Sequence, residues 1–251
     1  MHDYELYGFS LFETFLANRG SFWRLDRHWH RLSTAAPALG LSPPSWDRFK
    51  SDIAEIHDPK AMEILRYTLL REGGRWSTAA TGTRTQILKK PFEPQTSNPV
   101  RLDLAEARFP CGDSMRGFKS GSRLRYQLLF EEARSRGFDD CVLCDQQDRL
   151  LETTTSNLLF LIGDRWVTPP SSLGLLPGIA RGWLLERGLI HEYPIVLKDL
   201  PSIEAAFSAN AVHGFRPVRR LAQRELSTEI SRSFLDHIGN RNFTALKRSR
   251  G

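Results

Sequence analysis

The sequence predicts an α+β (mixed α/β) protein with a smaller N-terminal α/β domain and a larger C-terminal domain. Three observations carry this. Strand-like apolar runs and helix-like amphipathic stretches are intermixed along the chain, and neither type dominates. The proline-rich, polar stretch KKPFEPQTSNP interrupts them before the midpoint. The 251 residues, 40% of them hydrophobic, can bury a substantial core without disulfide or metal staples.

GFSLFETFLA and SFWRL flank Asn18-Arg19-Gly20 and predict an opening hairpin. LDRHWHRLSTAAPALG predicts a helix with Asp26 as its cap and an end near Gly40. SWDRFKSDIAEIHD predicts a second helix capped by Ser45, and MEILRYTLLRE and TRTQILKK predict strands about the Gly73-Gly74 turn. The domain boundary is expected between about residues 95 and 118 and is placed near 107, giving domains 1–107 and 108–251. The strand VRLDLAEARF follows the proline-rich stretch, and beyond the boundary lie the helix RLRYQLLFEEARSRGF and short strands in CVLCD, RLLETTT, NLLFLI and RWVTP. The helix IARGWLLERG, the strands IHEYPIVL, EAAFSAN and GFRPVRRL, and the helix TEISRSFLDHIG complete the chain.

A formal charge of +6 raises the question of nucleic acid, but Lys and Arg are dispersed and no basic stretch is interleaved with aromatics. A basic pocket for a small anionic molecule accounts for the charge as well, so no nucleic-acid partner is expected. No apolar stretch approaches the roughly 20 residues needed to span a bilayer. The N-terminal MHDYELYGFSLFETF lacks a basic region followed by an apolar block, which predicts a cytoplasmic protein with no membrane partner. Cys141 and Cys144 form C-x-x-C, yet in a strand residues three apart point to opposite faces, so neither a disulfide nor a shared metal is expected. His28 and His30 diverge on a helix, and no metal site is expected there.

Periodicity names no reaction; ordered motifs do. The chain reads FET at 12–14, HWHRL at 28–32, FKSGSRL at 118–124, LETTTSNLLF at 151–160, TPP at 168–170, LPGIAR at 176–181 and NAVHGFRPV at 210–218. In this order and spacing the set resembles the class IV aminotransferase family of fold-type IV enzymes. That family includes branched-chain and D-amino-acid aminotransferases and 4-amino-4-deoxychorismate lyase. The resemblance covers nearly the whole chain and implies pyridoxal 5′-phosphate as cofactor.

It implies that Lys119 holds the cofactor through a Schiff base, a role that requires a neutral amine and suits an apolar flank such as Phe118. Glu152, 33 residues later, matches the glutamate that faces the pyridine nitrogen, and Asn157 completes that motif. Arg31, the backbone of Ile179 and Ala180, and Ala211 match phosphate-holding positions. Thr14 is a candidate for proton handling, and Arg108, Arg123 and Asn210 are candidates for substrate binding. Each also has a plain structural reading: a surface lysine or arginine, a turn-flanking glutamate, a turn asparagine.

Within the family, Asn210, Ala211, Pro217 and Val218 resemble the asparagine-led pattern of the lyases, as does Arg123. Branched-chain enzymes carry a Gly-Thr-Ala type of loop where NAV stands, and D-amino-acid enzymes a Ser/Thr-rich one. Gly121-Ser122 replaces a commoner Leu-Asn, Ala180 stands where threonine is frequent, and the chain opens close to FET, where a further first strand is usual. The resemblance thus points to a lyase forming 4-aminobenzoate and pyruvate, with an aminotransferase for branched-chain, aromatic or D-amino acids as the alternative and a non-catalytic relative as the third reading. Family members are usually homodimers, and a homodimer is expected.

Overall fold

A computed structural model of the chain describes residues 2–77, 81–93, 99–238 and 244–245. The chain divides into two compact units: Met1–Pro94 with Phe118–Arg123 and Arg241–Gly251, and Gln95–Gly117 with Leu124–Asn240. The divide thus lies ahead of the expected residue 107. The reason is that Val100–Phe109 forms one continuous strand whose partners are all in the second unit.

The first unit begins with a short helix α1 (Asp3–Tyr7), which the sequence reading did not anticipate. Strands β1 (Ser10–Asn18) and β2 (Ser21–Phe22) form the expected hairpin, paired Ala17 to Phe22 and Asn18 to Ser21. Its two-residue turn has φ +48° at Arg19 and +77° at Gly20, the sense that matches strand twist. Helix α2 (Leu25–Ala35) starts from Arg24 in the left-handed region, so Asp26 lies in the first turn, where its charge suits the helix dipole, and is not the cap. A 3-10 turn then carries the chain to Gly40. Helix α3 (Trp46–Ile56) is capped as expected, the Ser45 Oγ accepting from Arg48 N at 3.2 Å.

Strands β3 (Met62–Glu72) and β4 (Gly82–Pro91) complete an antiparallel sheet ordered Thr244–Ala245, β2, β1, β3, β4. Its core packs Phe15, Phe22, Phe49 and Tyr67 with Leu65 and Ile53. Because β2 pairs only with the end of β1, the Ser10–Phe12 edge is open to residues 118–123. Ser120 bridges Leu11, and Lys119 O accepts from Phe12 N at 2.8 Å. Gly121 lets the two segments approach with the Ser10 hydroxyl in place, since a Cβ there would lie 2.2 Å from Ser10 Oγ.

In the second unit, β5 (Val100–Phe109) is followed by α4 (Leu124–Ser135), β6 (Asp140–Asp145), β7 (Leu150–Thr153), β8 (Asn157–Ile162) and β9 (Arg165–Thr168). Then come α5 (Ile179–Leu185), β10 (His191–Glu192), β11 (Ile203–Asn210), β12 (Gly214–Leu221), β13 (Arg224–Glu225) and α6 (Thr228–Ile238). The pairings run β7–β8–β11–β12–β5–β6–β7 and close a ring of six strands. Strand β5 is parallel to both its neighbours, β12 and β6.

Every residue of β6 is buried, its apolar centre Cys141–Cys144 lying between two partner strands and its end residues Asp140 and Asp145 buried with it. Cys141 and Cys144 are free thiols within it, their pKa values pushed up by burial to about 12 and about 11. IHEYPIVL, expected as one strand, is a strand only at His191–Glu192; Pro194, which has no N–H to donate, breaks it, and beyond the proline Val196 makes an isolated bridge to Arg149. Among the described residues no helix is long and apolar enough to cross a membrane, and no group of three or more His, Cys, Asp or Glu is placed to hold a metal ion.

Candidate active site

In the first unit the FET segment splits its roles by strand alternation. Glu13 points with Leu11 and Phe15 into the core, whereas Phe12 and Thr14 take the opposite face. Glu13 is 1% exposed and receives Arg31 in a bidentate pair, Nε to Oε1 at 2.8 Å and Nη2 to Oε2 at 2.7 Å, with His28 Nδ1 at 2.7 Å from Oε2. Burial alone pushes the Glu13 carboxyl up, but the Arg31 charge and the His28 and Arg31 hydrogen bonds reverse this and hold it at about 2. Burial draws the His28 imidazole below its ordinary value, against the pull of Glu13 and with the charges of Arg31 and Lys119. Neutral His28 then donates from Nδ1. Its buried Nε2, which has no partner among the described residues, carries the lone pair.

On the other face, Lys119 Nζ lies 4.8 Å from the centre of the Phe12 ring, and the Arg66 guanidinium lies 3.5 Å from the same centre. Arg66 is paired with Thr14 across β1 and β3. Burial lowers its pKa, and the charge of Arg123 lowers it further. Arg66 was not among the residues picked out from sequence. The available signal was an arginine at an alternating position in MEILRYTLLRE, a strand apolar enough to be central.

In the second unit the ring closes at Glu152 and Asn157, which are paired across β7 and β8. Glu152 is buried, and its Oε2 accepts from Asn157 Nδ2 and from Leu176 N, both at 3.3 Å. Asn157 Nδ2 also donates to Leu176 O at 3.0 Å. A Cβ on Gly178 would fall 1.8 Å from Asn157 Oδ1, so any side chain there displaces the Asn157 amide from its place at the start of α5. Ile179 and Ala180 are buried in the first turn of α5, whose N–H groups have no partner within the helix. Buried Arg181 ties that turn to the TPP segment, donating from Nε to Thr168 Oγ1 at 3.2 Å, from Nη2 to Pro169 O at 2.8 Å and to Glu192.

Asn210 ends β11, and its side chain holds the turn that contains Ala211. Its Oδ1 accepts from Val212 N at 3.0 Å and His213 N at 2.7 Å, and its Nδ2 donates to Ser156 Oγ at 2.9 Å. Within this unit hydrogen bonds join Glu152 to Asn157 and Asn210 to Ser156 of the same hairpin, and Gly178, next to Ile179, packs on the Asn157 side chain. Arg108 is engaged elsewhere: Nε pairs with Asp148 at 3.0 Å, and Nη1 donates to the carbonyls of Ala105 and Glu106.

Each unit carries groups whose chemistry fits pyridoxal 5′-phosphate: in the first, an amine on an aromatic face and a guanidinium held in orientation; in the second, a buried carboxylate and the amides that open α5. Residues 10–221 match the amino-transferase class IV family, and the chain belongs to it. The chain is similar to the aminodeoxychorismate lyase of Vibrio harveyi, 23% identical over 232 residues that cover 87% of this chain and 85% of that protein. Its fold matches that of a branched-chain aminotransferase from the archaeon Thermoproteus uzoniensis, solved with norvaline, at a TM-score of 0.83 and 21% identity, covering 94% and 86% of the two chains. It likewise matches an aminotransferase from Brucella abortus bound to the cofactor PLP, at a TM-score of 0.80 and 22% identity, covering 93% and 90%. The protein is thus a pyridoxal phosphate-dependent enzyme of fold type IV. Its curated relatives are named both as aminodeoxychorismate lyases and as branched-chain aminotransferases.

Proposed function

We infer that this enzyme is a 4-amino-4-deoxychorismate lyase that releases 4-aminobenzoate and pyruvate. The observation that carries the reading is the NAVHGFRPV segment, with Asn210 bracing its turn and joining it to Ser156 of the Glu152 hairpin. When bound, pyridoxal phosphate supplies an electron sink for the pair left on the amine-bearing carbon. Lys119 holds the cofactor covalently between turnovers, and its freed Nζ removes the proton from that carbon. The Glu152 carboxylate keeps a proton on the ring nitrogen, with Asn157 orienting it. Arg31, the Ile179 and Ala180 amides and Ala211 hold the phosphate. Arg123 and Asn210 meet the anionic substrate, and Thr14 assists proton handling. The enzyme works as a homodimer in the cytoplasm.

The second reading is an aminotransferase, favoured by the relatives of that name, one of them 28% identical over 189 residues. The two chemistries differ in stoichiometry, because transamination needs a 2-oxo acid to restore the cofactor and elimination does not. With aminodeoxychorismate and no oxo acid, we expect equal amounts of 4-aminobenzoate and pyruvate over many turnovers. Lys119→Ala should abolish both products and the visible absorbance of lysine-bound cofactor. Absence of 4-aminobenzoate, with turnover of amino donors only when an oxo acid is supplied, would replace the lyase by the aminotransferase.

A further inference from the structure

We propose that Asp140 is a positioning residue for the cofactor-facing carboxylate, acting by clamping the hairpin turn that carries Glu152. The proposal deepens the reading of Glu152 given above and rests on it. Asp140 opens β6 and is 5% exposed. Its Oδ1 accepts from Thr154 Oγ1 at 2.6 Å, from Cys141 N at 2.8 Å and from Thr154 N at 3.2 Å, and its Oδ2 accepts from Thr155 Oγ1 at 2.8 Å. Continuing the Val142–Thr153 register of β6 and β7 places Asp140 opposite Thr155, directly across from the turn.

The turn needs such a clamp. Residues 153–156 read Thr-Thr-Thr-Ser, with no glycine, proline, asparagine or aspartate of their own, and none of the four has a positive φ. Successive β-branched threonines favour continued strand over a tight reversal. Inside the turn, Thr153 Oγ1 accepts from Ser156 N at 3.0 Å and from Thr155 N at 3.2 Å, which satisfies two amides but ties the turn only to itself. The short, charge-assisted bonds to Asp140 anchor it to β6, a fully buried strand of the ring.

Glu152 precedes the turn and Asn157 follows it, and the two are paired across β7 and β8. The contacts that Glu152 itself receives from Asn157 and Leu176 are both 3.3 Å, at the long end for hydrogen bonds. The turn clamped by Asp140 on one side and held by Asn210 at Ser156 on the other therefore sets where the strand ends carry Glu152 and Asn157. Removing Asp140 takes away the carboxylate to which Thr154 and Thr155 donate and lets the Glu152–Asn157 pair shift.

The test reads the ring nitrogen of the holoenzyme by 15N NMR with cofactor labelled at that atom, alongside steady-state kinetics. Glu152→Gln should move the resonance toward the unprotonated position, which tests the reading beneath the proposal. Asp140→Ala should move it in the same direction by part of that amount and lower kcat roughly ten- to a hundredfold, with a smaller change in KM. Thr154→Val keeps the side-chain shape and loses only the hydroxyl, and it should produce a smaller shift of the same sign; it decides the matter if Asp140→Ala does not fold. A wild-type resonance in both Asp140→Ala and Thr154→Val, while Glu152→Gln has moved, removes the positioning role and leaves the Glu152 reading standing. An unmoved resonance in Glu152→Gln overturns that reading and this proposal with it.

Discussion

Glu13 sits between an arginine and a histidine, and its ionisation decides the charge of the whole cluster. With the carboxylate ionised and His28 neutral, one negative and one positive group remain, and the buried charge is balanced. Both shifts make acid destabilising. A histidine held below its ordinary 6.5 resists a proton that the unfolded chain accepts, so stability begins to fall below about pH 6.5. The Glu13 carboxyl, lowered from 4.5 to about 2, contributes stability that is complete above pH 4.5 and is lost as pH falls toward 2. At neutral pH that contribution is on the order of 3 kcal/mol. Thermal melts between pH 7 and pH 3 should show Glu13→Gln destabilised at neutral pH and flatter in the acid limb than wild type. Parallel curves for the two proteins would show that Glu13 does not carry the acid response.

The β7–β8 hairpin and the start of α5 form the element on which the cofactor reading depends, and Gly178 joins them. Its φ of −69° is open to any residue, so alanine there brings no backbone strain. The added Cβ, 1.8 Å from Asn157 Oδ1, must instead push the Asn157 amide away from Glu152 and Leu176 O. We expect Gly178→Ala to weaken cofactor affinity roughly tenfold, the scale of one lost hydrogen bond to a charged group. A cofactor titration giving wild-type affinity would separate the Asn157 packing from cofactor binding. These elements were legible in sequence because apolar runs and turn residues mark them: Arg19-Gly20 fixed the first hairpin, and Ser45 its helix start. What escaped depended on tertiary context. Arg24, not Asp26, starts α2 because the chain enters it in a left-handed conformation. IHEYPIVL is apolar enough for a strand, but its proline cannot donate to one. Lys119 and Glu152 stood out through their motifs. Asp140 and Arg66 did not, because their partners lie far away in sequence and only pairing brings them together.

At the scale of the whole molecule the chain crosses between its two units at residues 94–95, 117–118, 123–124 and 240–241. The expected cut at 107 therefore differs from the observed division in a way that can be measured. A fragment of residues 108–251 loses all but the last two residues of β5, the ring strand that pairs in parallel with β12 on one side and β6 on the other. Both neighbours are then left with open edges, and Leu102 and Val100 are taken out of the core they share with Val142, Leu158 and Val218. Truncating one such buried aliphatic side chain costs about 2–5 kcal/mol, and a small domain has only about 5–15 kcal/mol in total, so losing the strand should abolish cooperative folding. A fragment of residues 95–240 keeps every strand of the ring. Purified under the same conditions, 95–240 should show a sigmoidal thermal transition and near-ultraviolet circular dichroism from its packed aromatic side chains, including Trp166, Phe207 and Phe234. The 108–251 fragment should show neither, because the five strands left form an open ring that cannot bury both faces of β6 and β12. If 108–251 instead melts as cooperatively as 95–240, strand β5 is not needed to close the second unit, and the boundary belongs near 107 after all.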